Sequence, residues 1–230
     1  MKLLAFDTST LSLSVAYTDG ERWVTREEPS GQAHSQKLIP IIDQVLAEAR
    51  SSLGELDALA FGAGPGSFTG VRIACGVAQG LGLGAEVPLV PVCTLEALAQ
   101  NAYDTHGATH VLACLDARMR ELYVAAYWLD GTRWVTEKEP AVLHPSGVTA
   151  ATDEGWFGSG DGFSAYPDLA TSLRLARFDA TLVPHARSIA RIAMPRVEAG
   201  ETVTASRALP VYVRHRVALT TAERNSGARL

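Results

Sequence analysis

One ordered pattern occurs twice in this chain and restricts its fold more than any other feature. Leu3-Leu4-Ala5-Phe6 is an apolar run that ends at Asp7-Thr8-Ser9-Thr10. Residues 11–17 then alternate apolar and small polar side chains, the period of a half-buried strand. Asp19-Gly20 is a tight hairpin signal, and residues 22–28, with Trp23 and Val24, return as a third strand. The same order recurs further on. Val111-Leu112-Ala113-Cys114-Leu115 ends at Asp116, a turn over 117–120 leads to a strand over 122–129, and Asp130-Gly131 makes a second hairpin. Arg133-Trp134-Val135-Thr136 then repeats Arg22-Trp23-Val24-Thr25. A strand, Asp, turn, strand, Asp-Gly, strand unit used twice predicts a duplicated fold.

Between and after these units the periodicity changes. A helix is predicted over 35–50, with Leu38, Ile41, Ile42, Val45 and Ala49 at helical spacing and Pro40 near its start. A short apolar strand covers 57–63, and Gly64-Pro65-Gly66-Ser67-Phe68-Thr69-Gly70 reads as a loop. A second helix follows over 71–85 and a strand over 87–92. Thr94 is placed as the cap of a third helix carrying Leu95, Leu98 and Ala99, with Glu96 in its first turn. Beyond the second hairpin, residues 156–162 read as a short strand and glycine turn, 173–178 as a strand, and 184–195 as a helix ending at Pro195. Leu209-Pro210-Val211-Tyr212-Val213-Arg214 is an extended segment, and the tail after Ala222 is polar.

Three strands followed by helices and further strands, used twice, predict an α/β fold of two lobes built from duplicated βββαβα units. This plan resembles the actin, Hsp70 and sugar-kinase (ASKHA) superfamily, in which two related lobes face a nucleotide cleft. The first lobe is expected over 1–103 plus 186–230 and a degenerate second lobe over 104–185.

Composition narrows the function classes. The 230 residues include 20 Lys+Arg against 25 Asp+Glu, a formal charge of −5, and 47% are apolar. That balance is globular and argues against strong unaided nucleic-acid binding, which needs a basic surface. Cys75, Cys93 and Cys114 have no Cys-x-x-Cys spacing and read as buried reduced thiols. The N-terminal apolar run is too short for a signal peptide, and no uncharged run reaches the roughly 18 residues of a membrane span. A cytoplasmic location without membrane contact is expected.

Several residues are candidates for chemistry. In a kinase-like cleft the first hairpin turn offers Asp7 to hydrated Mg²⁺ and Thr8 and Ser9 to phosphate, although Asp, Thr and Ser also simply make a good turn. Asp116 matches Asp7, but Ala117-Arg118-Met119-Arg120 is bulky and basic where a glycine-rich cradle would stand. The 64–70 loop lacks the Gly-Lys-Ser/Thr of a Walker motif. His34, His106, His110, His144, His185 and His215 lie in scattered turn or surface contexts and form no metal pair.

The helix over 71–85 carries only Arg72 and Gln79 as strongly polar residues, and Gly76, Gly80 and Gly84 repeat every fourth position. Each glycine costs about 1 kcal/mol against alanine in a helix. A helix so apolar needs cover on nearly every side, and two small lobes have little material to provide it. One strip of it is therefore expected to face another subunit, with support from the preceding helix. The expected interface residues are Ile39, Ile42 and Leu46, with Val71, Arg72, Cys75, Gly76, Gln79 and Leu83.

LLAFDTST, HSQKLIPIIDQVL, LAFGAGPGSFTGVRIACGVAQGLGLG, LACLDARMRELYVAAY and LPVYVR, in this order, closely resemble the TsaB (YeaZ) family over nearly the whole chain. GPGSFTGVR with DARMRELY is the specific part. The resemblance implies a non-catalytic subunit in bacterial synthesis of N6-threonylcarbamoyladenosine at position 37 of tRNAs reading codons that begin with A. It implies pairing with the catalytic paralogue TsaD, a TsaE-type ATPase as a further partner, and a homodimer when alone. The net charge of −5, separately, argues for only indirect tRNA contact, with Arg214 and Arg216 as a local basic strip able to contribute. The paralogue binds its metal through Val-Asn-His-x-Glu-Gly-His, where this chain has Val92-Cys93-Thr94-Leu95-Glu96-Ala97-Leu98. Thr94 and Leu98 cannot replace imidazole ligands, so no metal is expected here. No cofactor is expected for the isolated subunit, with nucleotide only in the complex. The rival readings are a small ATP-dependent phosphotransferase using Asp7 and a metallopeptidase-like hydrolase.

Overall fold

In the strand β1 (Leu3–Asp7) every residue is buried, as a strand covered on both faces must be. The computed structural model describes residues 1–29, 31, 33–149 and 155–214. β1 pairs antiparallel with β2 (Ser12–Thr18), which pairs antiparallel with β3 (Trp23–Pro29). On its other edge β1 pairs parallel with β4 (Ala58–Gly64), and β4 with β5 (Leu89–Cys93). The sheet order is β3-β2-β1-β4-β5.

The second sheet repeats this wiring. β6 (His110–Asp116) and β7 (Leu122–Asp130) pair antiparallel, as do β7 and β8 (Arg133–Leu143). β6 pairs parallel with β9 (Phe157–Ser159), and β9 with β10 (Arg177–Asp179). The order β8-β7-β6-β9-β10 matches the first sheet strand for strand. The duplicated α/β plan read from the hairpins is the fold of the chain.

Helices differ between the two copies. Along β1 and β4 the side chains alternate between faces, so Leu4, Phe6, Leu59 and Phe61 meet α1 (His34–Ala49) and α2 (Phe68–Ala85). Leu3, Ala5, Ala58 and Ala60 meet α6 (Ala186–Glu198) on the opposite face. α3 (Thr94–His106) covers one face of the second sheet through Leu95, Leu98, Ala99 and Ala102. The other face is packed by α4 (Gly162–Ala165) and α5 (Leu169–Ser172), two short turns in place of long helices.

Four local expectations change. Residues 68–70, expected in the loop, form the first turn of α2, which Ser67 caps. α6 continues through Pro195, because Ile189, Ile192 and Ala193 are buried against the first sheet, and this anchoring outweighs a local cost of about 3 kcal/mol. The strand expected over 173–178 shrinks to Arg177–Asp179, since Leu173 closes the turn of α5. Thr94 is the first residue of α3 and does not cap it; its hydroxyl donates to the Pro65 carbonyl.

Candidate interaction surface and interlobe cleft

The turn after β1 sits where the sheet changes from antiparallel to parallel neighbours, the place where an open α/β sheet leaves a crevice. Here the crevice is filled by the chain itself. The 65–67 loop and the first turn of α2 fold over the turn: the Ser67 N–H donates to the Ser9 carbonyl at 2.7 Å, and the Thr8 hydroxyl to the Gly70 carbonyl at 2.7 Å. A Cβ at Gly70 would overlap the Thr8 carbonyl, so this glycine permits the approach. Asp7 is fully buried; its Oδ1 accepts from the Ser9 N–H at 3.0 Å and the Ser9 hydroxyl at 2.8 Å. Its Oδ2 is buried without a protein partner. Burial pushes the carboxyl up to about 6, against the lowering effect of the Ser9 bonds.

A cavity of about 380 Å³ lies between the lobes. Ser9, Thr10, Leu11, Ser67 and Phe68 line one side, Leu115, Asp116, Arg118, Tyr123 and Asp161 the other. Ser9 reaches it; Asp7 and Thr8 do not. Asp116 is paired with Arg118 at 3.0 Å, and its N–H donates to Asp161 Oδ1 at 2.8 Å. Burial, with some help from Asp116, raises the Asp161 carboxyl above its usual range, although hydrogen bonding opposes it. Arg118, Met119 and Arg120 all have left-handed backbone, at φ of 60°, 55° and 61°, which costs side-chain-bearing residues roughly 1–2 kcal/mol each. A magnesium-bound phosphate needs an open carboxylate and a row of free N–H donors. An enclosed Asp7 and an arginine-rich second turn do not fit that group.

On α2 the expected strip divides. Arg72, Gly76 and Leu83 are exposed, Leu83 by 74%, and Ile39 of α1 by 48%. Nothing approaches the positions a Cβ would take at Gly76, Gly80 and Gly84, so this strip of the helix is open. Ile42, Leu46, Val71 and Cys75 are buried in their own chain, and the side chains available to a partner exclude them. Leu46, expected at the interface, packs within the core. Gln79 is half-buried, and its Nε2 donates to the Ala208 carbonyl at 2.7 Å. The Arg72 guanidinium lies 3.3 Å from the Phe68 ring centroid and 4.9 Å from that of Tyr212.

Other candidates resolve as follows. Leu98 is buried against the second sheet. Among the described residues no group of three or more His, Cys, Asp or Glu side chains comes together. His34 is buried as the first residue of α1, contrary to a surface histidine; His106 pairs with Asp179 at 2.8 Å, and His185 caps α6. Cys75, Cys93 and Cys114 are unpaired thiols, Cys93 half-buried and the others buried. Arg214 is not a free cation for RNA: its side chain is 13% exposed and pairs with Glu121 at 2.5 Å. Arg216 and His215 lie outside the described residues, as does the tail after Ala222. No helix of the described residues is long and apolar enough to cross a membrane. The grip of Cys75 and Gln79 on Ala208 has no sequence signal, because it joins positions about 130 residues apart.

Two sheets with one wiring, facing each other across a cleft, define an ASKHA-type fold. The model of the family described as TsaD, tRNA N6-adenosine threonylcarbamoyltransferase, matches residues 28–206. The chain is 41% identical to the tRNA threonylcarbamoyladenosine biosynthesis protein TsaB of Escherichia coli (strain K12), covering 95% of this chain and 96% of that one. It is 35% identical to the TsaB of Haemophilus influenzae, over 94% and 95% of the two chains. The solved structure of YeaZ from Pseudomonas aeruginosa is 41% identical and superposes with a TM-score of 0.86, covering 92% of this chain and 99% of that one. The chain belongs to the TsaB (YeaZ) family within the TsaD-type group of ASKHA folds.

Proposed function

We propose that this chain acts in tRNA threonylcarbamoyladenosine biosynthesis as a non-catalytic docking subunit, modifying adenosine 37 of tRNAs that read codons beginning with A only through its partner. It binds a TsaD-type catalytic paralogue in the cytoplasm along the open strip of α2, namely Arg72, Gly76, Gly80 and Leu83, with Ile39 of α1 beside it. The observation that carries this reading is the strip itself: a helix with exposed glycines at every fourth position and a 74% exposed leucine, next to a well-packed core. Small residues let a partner backbone approach closely, and contiguous exposed apolar surface marks protein contact. The same strip serves a second copy when the paralogue is absent, and the TsaE-type ATPase joins the assembled pair.

The site chemistry supports a non-catalytic role. Asp7 sits behind its own loop, and Thr94 and Leu98 stand where the paralogue has histidines. We assign the lobes as 1–103 plus 186–230 and 104–185; α6 packs on the first sheet, while α3, though mostly within 1–103, packs on the second.

The test is reconstitution with the TsaD-type subunit, TsaE-type ATPase and unmodified tRNA. Gly76→Arg is expected to abolish co-elution of the two subunits on gel filtration and the modification with it. Unchanged co-elution overturns the interface. Micromolar Mg²⁺-ATP binding or turnover by the chain alone overturns the non-catalytic role in favour of a phosphotransferase.

A further inference from the structure

Residues 208–214 cross the mouth of the interlobe cavity, and both lobes hold them. The Ala208 carbonyl accepts from the Cys75 thiol at 3.3 Å and from Gln79 Nε2 at 2.7 Å, both on α2. The Val211 N–H donates to the Ala63 carbonyl of β4 at 2.8 Å. The Val211 carbonyl passes 3.1 Å from where a Cβ of Gly64 would sit, so a glycine there lets the segment lie flat on the loop. At the far end Arg214 reaches the second lobe. Its Nη2 donates to the Ala117 carbonyl at 3.0 Å and to Glu121 Oε2 at 2.5 Å, and its Nη1 to Met119 Sδ at 3.4 Å.

Three features make this more than a packed tail. Val211, Tyr212, Val213 and Arg214 form one wall of the cavity, so their position sets its aperture. The turn that Arg214 grips is the left-handed run Arg118, Met119, Arg120, a backbone that persists only when something holds it. The first pin, Gln79, lies beside the docking strip of α2, next to Gly76 and Gly80 on the helix. Its carboxamide is half-buried, and a partner seated on Gly76 and Leu83 covers it further. Removing water from a hydrogen bond strengthens it.

We propose that residues 208–214 are a strap that holds the two lobes together over the cleft and couples its aperture to occupancy of the α2 strip. A docked partner tightens the Gln79 pin and closes the cleft; by reciprocity, a closed strap holds α2 ready for the partner. The coupling rests on the docking role proposed above, while the strap itself does not.

The test uses spin labels at Gln44→Cys on α1 and Ser164→Cys on α4, one exposed site per lobe, in the full chain. Two independent variants release the strap: Arg214→Ala removes the second-lobe pin, and Val211→Pro removes the N–H given to Ala63. Leu209→Ala, at an exposed and unpinned position, is the control. In both release variants the interlobe distance is expected to lengthen and broaden, and affinity for the TsaD-type subunit to fall about tenfold, while the control changes neither. Unchanged interlobe distances in both variants overturn the strap. Longer distances with unchanged affinity overturn the coupling. Failure of the docking role shows separately, as pairing that survives Gly76→Arg.

Discussion

Asp7 is a buried carboxylate of the first lobe whose ionised form is disfavoured. Its acid group is fully buried, one oxygen has no protein partner, and its pKa stands at about 6 against a usual value near 4. A carboxyl whose folded pKa is raised binds protons more tightly when folded. Its stabilising share is therefore present below pH 4 and is lost as pH rises from about 4 to 6. Two pKa units correspond to about 2.7 kcal/mol. The Asp7→Asn variant cannot ionise, so its stability relative to the parent should improve by about 2 kcal/mol between pH 4 and pH 7. Denaturant titrations of both proteins across that range check this, and parallel pH profiles would refute it. The sequence put Asp7 in a turn and left open whether it faced ligand or core. Only the loop and the first turn of α2 folding over it, through Ser67 and Gly70, settle the matter.

The helix α2 separates stability from association. A Cβ at Gly80 meets open space, and alanine favours helix over glycine by about 1 kcal/mol. Gly80→Ala should therefore raise the midpoint of thermal unfolding, and so should Gly80→Arg, because arginine is also a good helix former. Gly80→Arg should at the same time destroy pairing with the paralogue on gel filtration. A variant that is more stable yet unable to pair assigns the glycine to contact with another chain. Gly82 behaves in the opposite way. Its Cβ would press on Leu89, so Gly82→Ala should cost about 1–3 kcal/mol in chemical unfolding. The glycine spacing was legible in the sequence. Which glycines face out was not, since Gly80 and Gly82 are indistinguishable until the sheet beneath them is placed.

At the scale of the molecule, α6 returns from the second lobe to close the first, and two ion pairs tie it to α3, Arg191 with Asp104 and Arg196 with Glu96. Glu96 is buried, and Arg196 donates to both its oxygens at 2.6 and 2.7 Å. Burial raises the Glu96 carboxyl, and Arg196 opposes the shift. Arg196→Ala leaves that carboxyl buried and alone, at a cost of about 3 kcal/mol. Adding Glu96→Leu should recover most of that loss, because the penalty lies in the unpaired charge. Urea unfolding of the single and double variants distinguishes this from simple loss of packing by arginine, which the second change would not repair.

What the sequence determined by itself is the set of local and repeated features. Alternation and Asp-Gly turns specify hairpins, and their recurrence specifies two sheets of one wiring, because strand period and turn chemistry act between near neighbours. The family motifs are legible for the same reason. What only the tertiary structure decided are relations between distant segments. Asp7 is closed in by the loop before α2 and that helix's first turn, Ile42, Leu46, Val71 and Cys75 are taken by their own core, and Arg214 is spent on the second lobe. Exposure and partnership belong to pairs of surfaces, and no pattern along one segment states which surface will meet it.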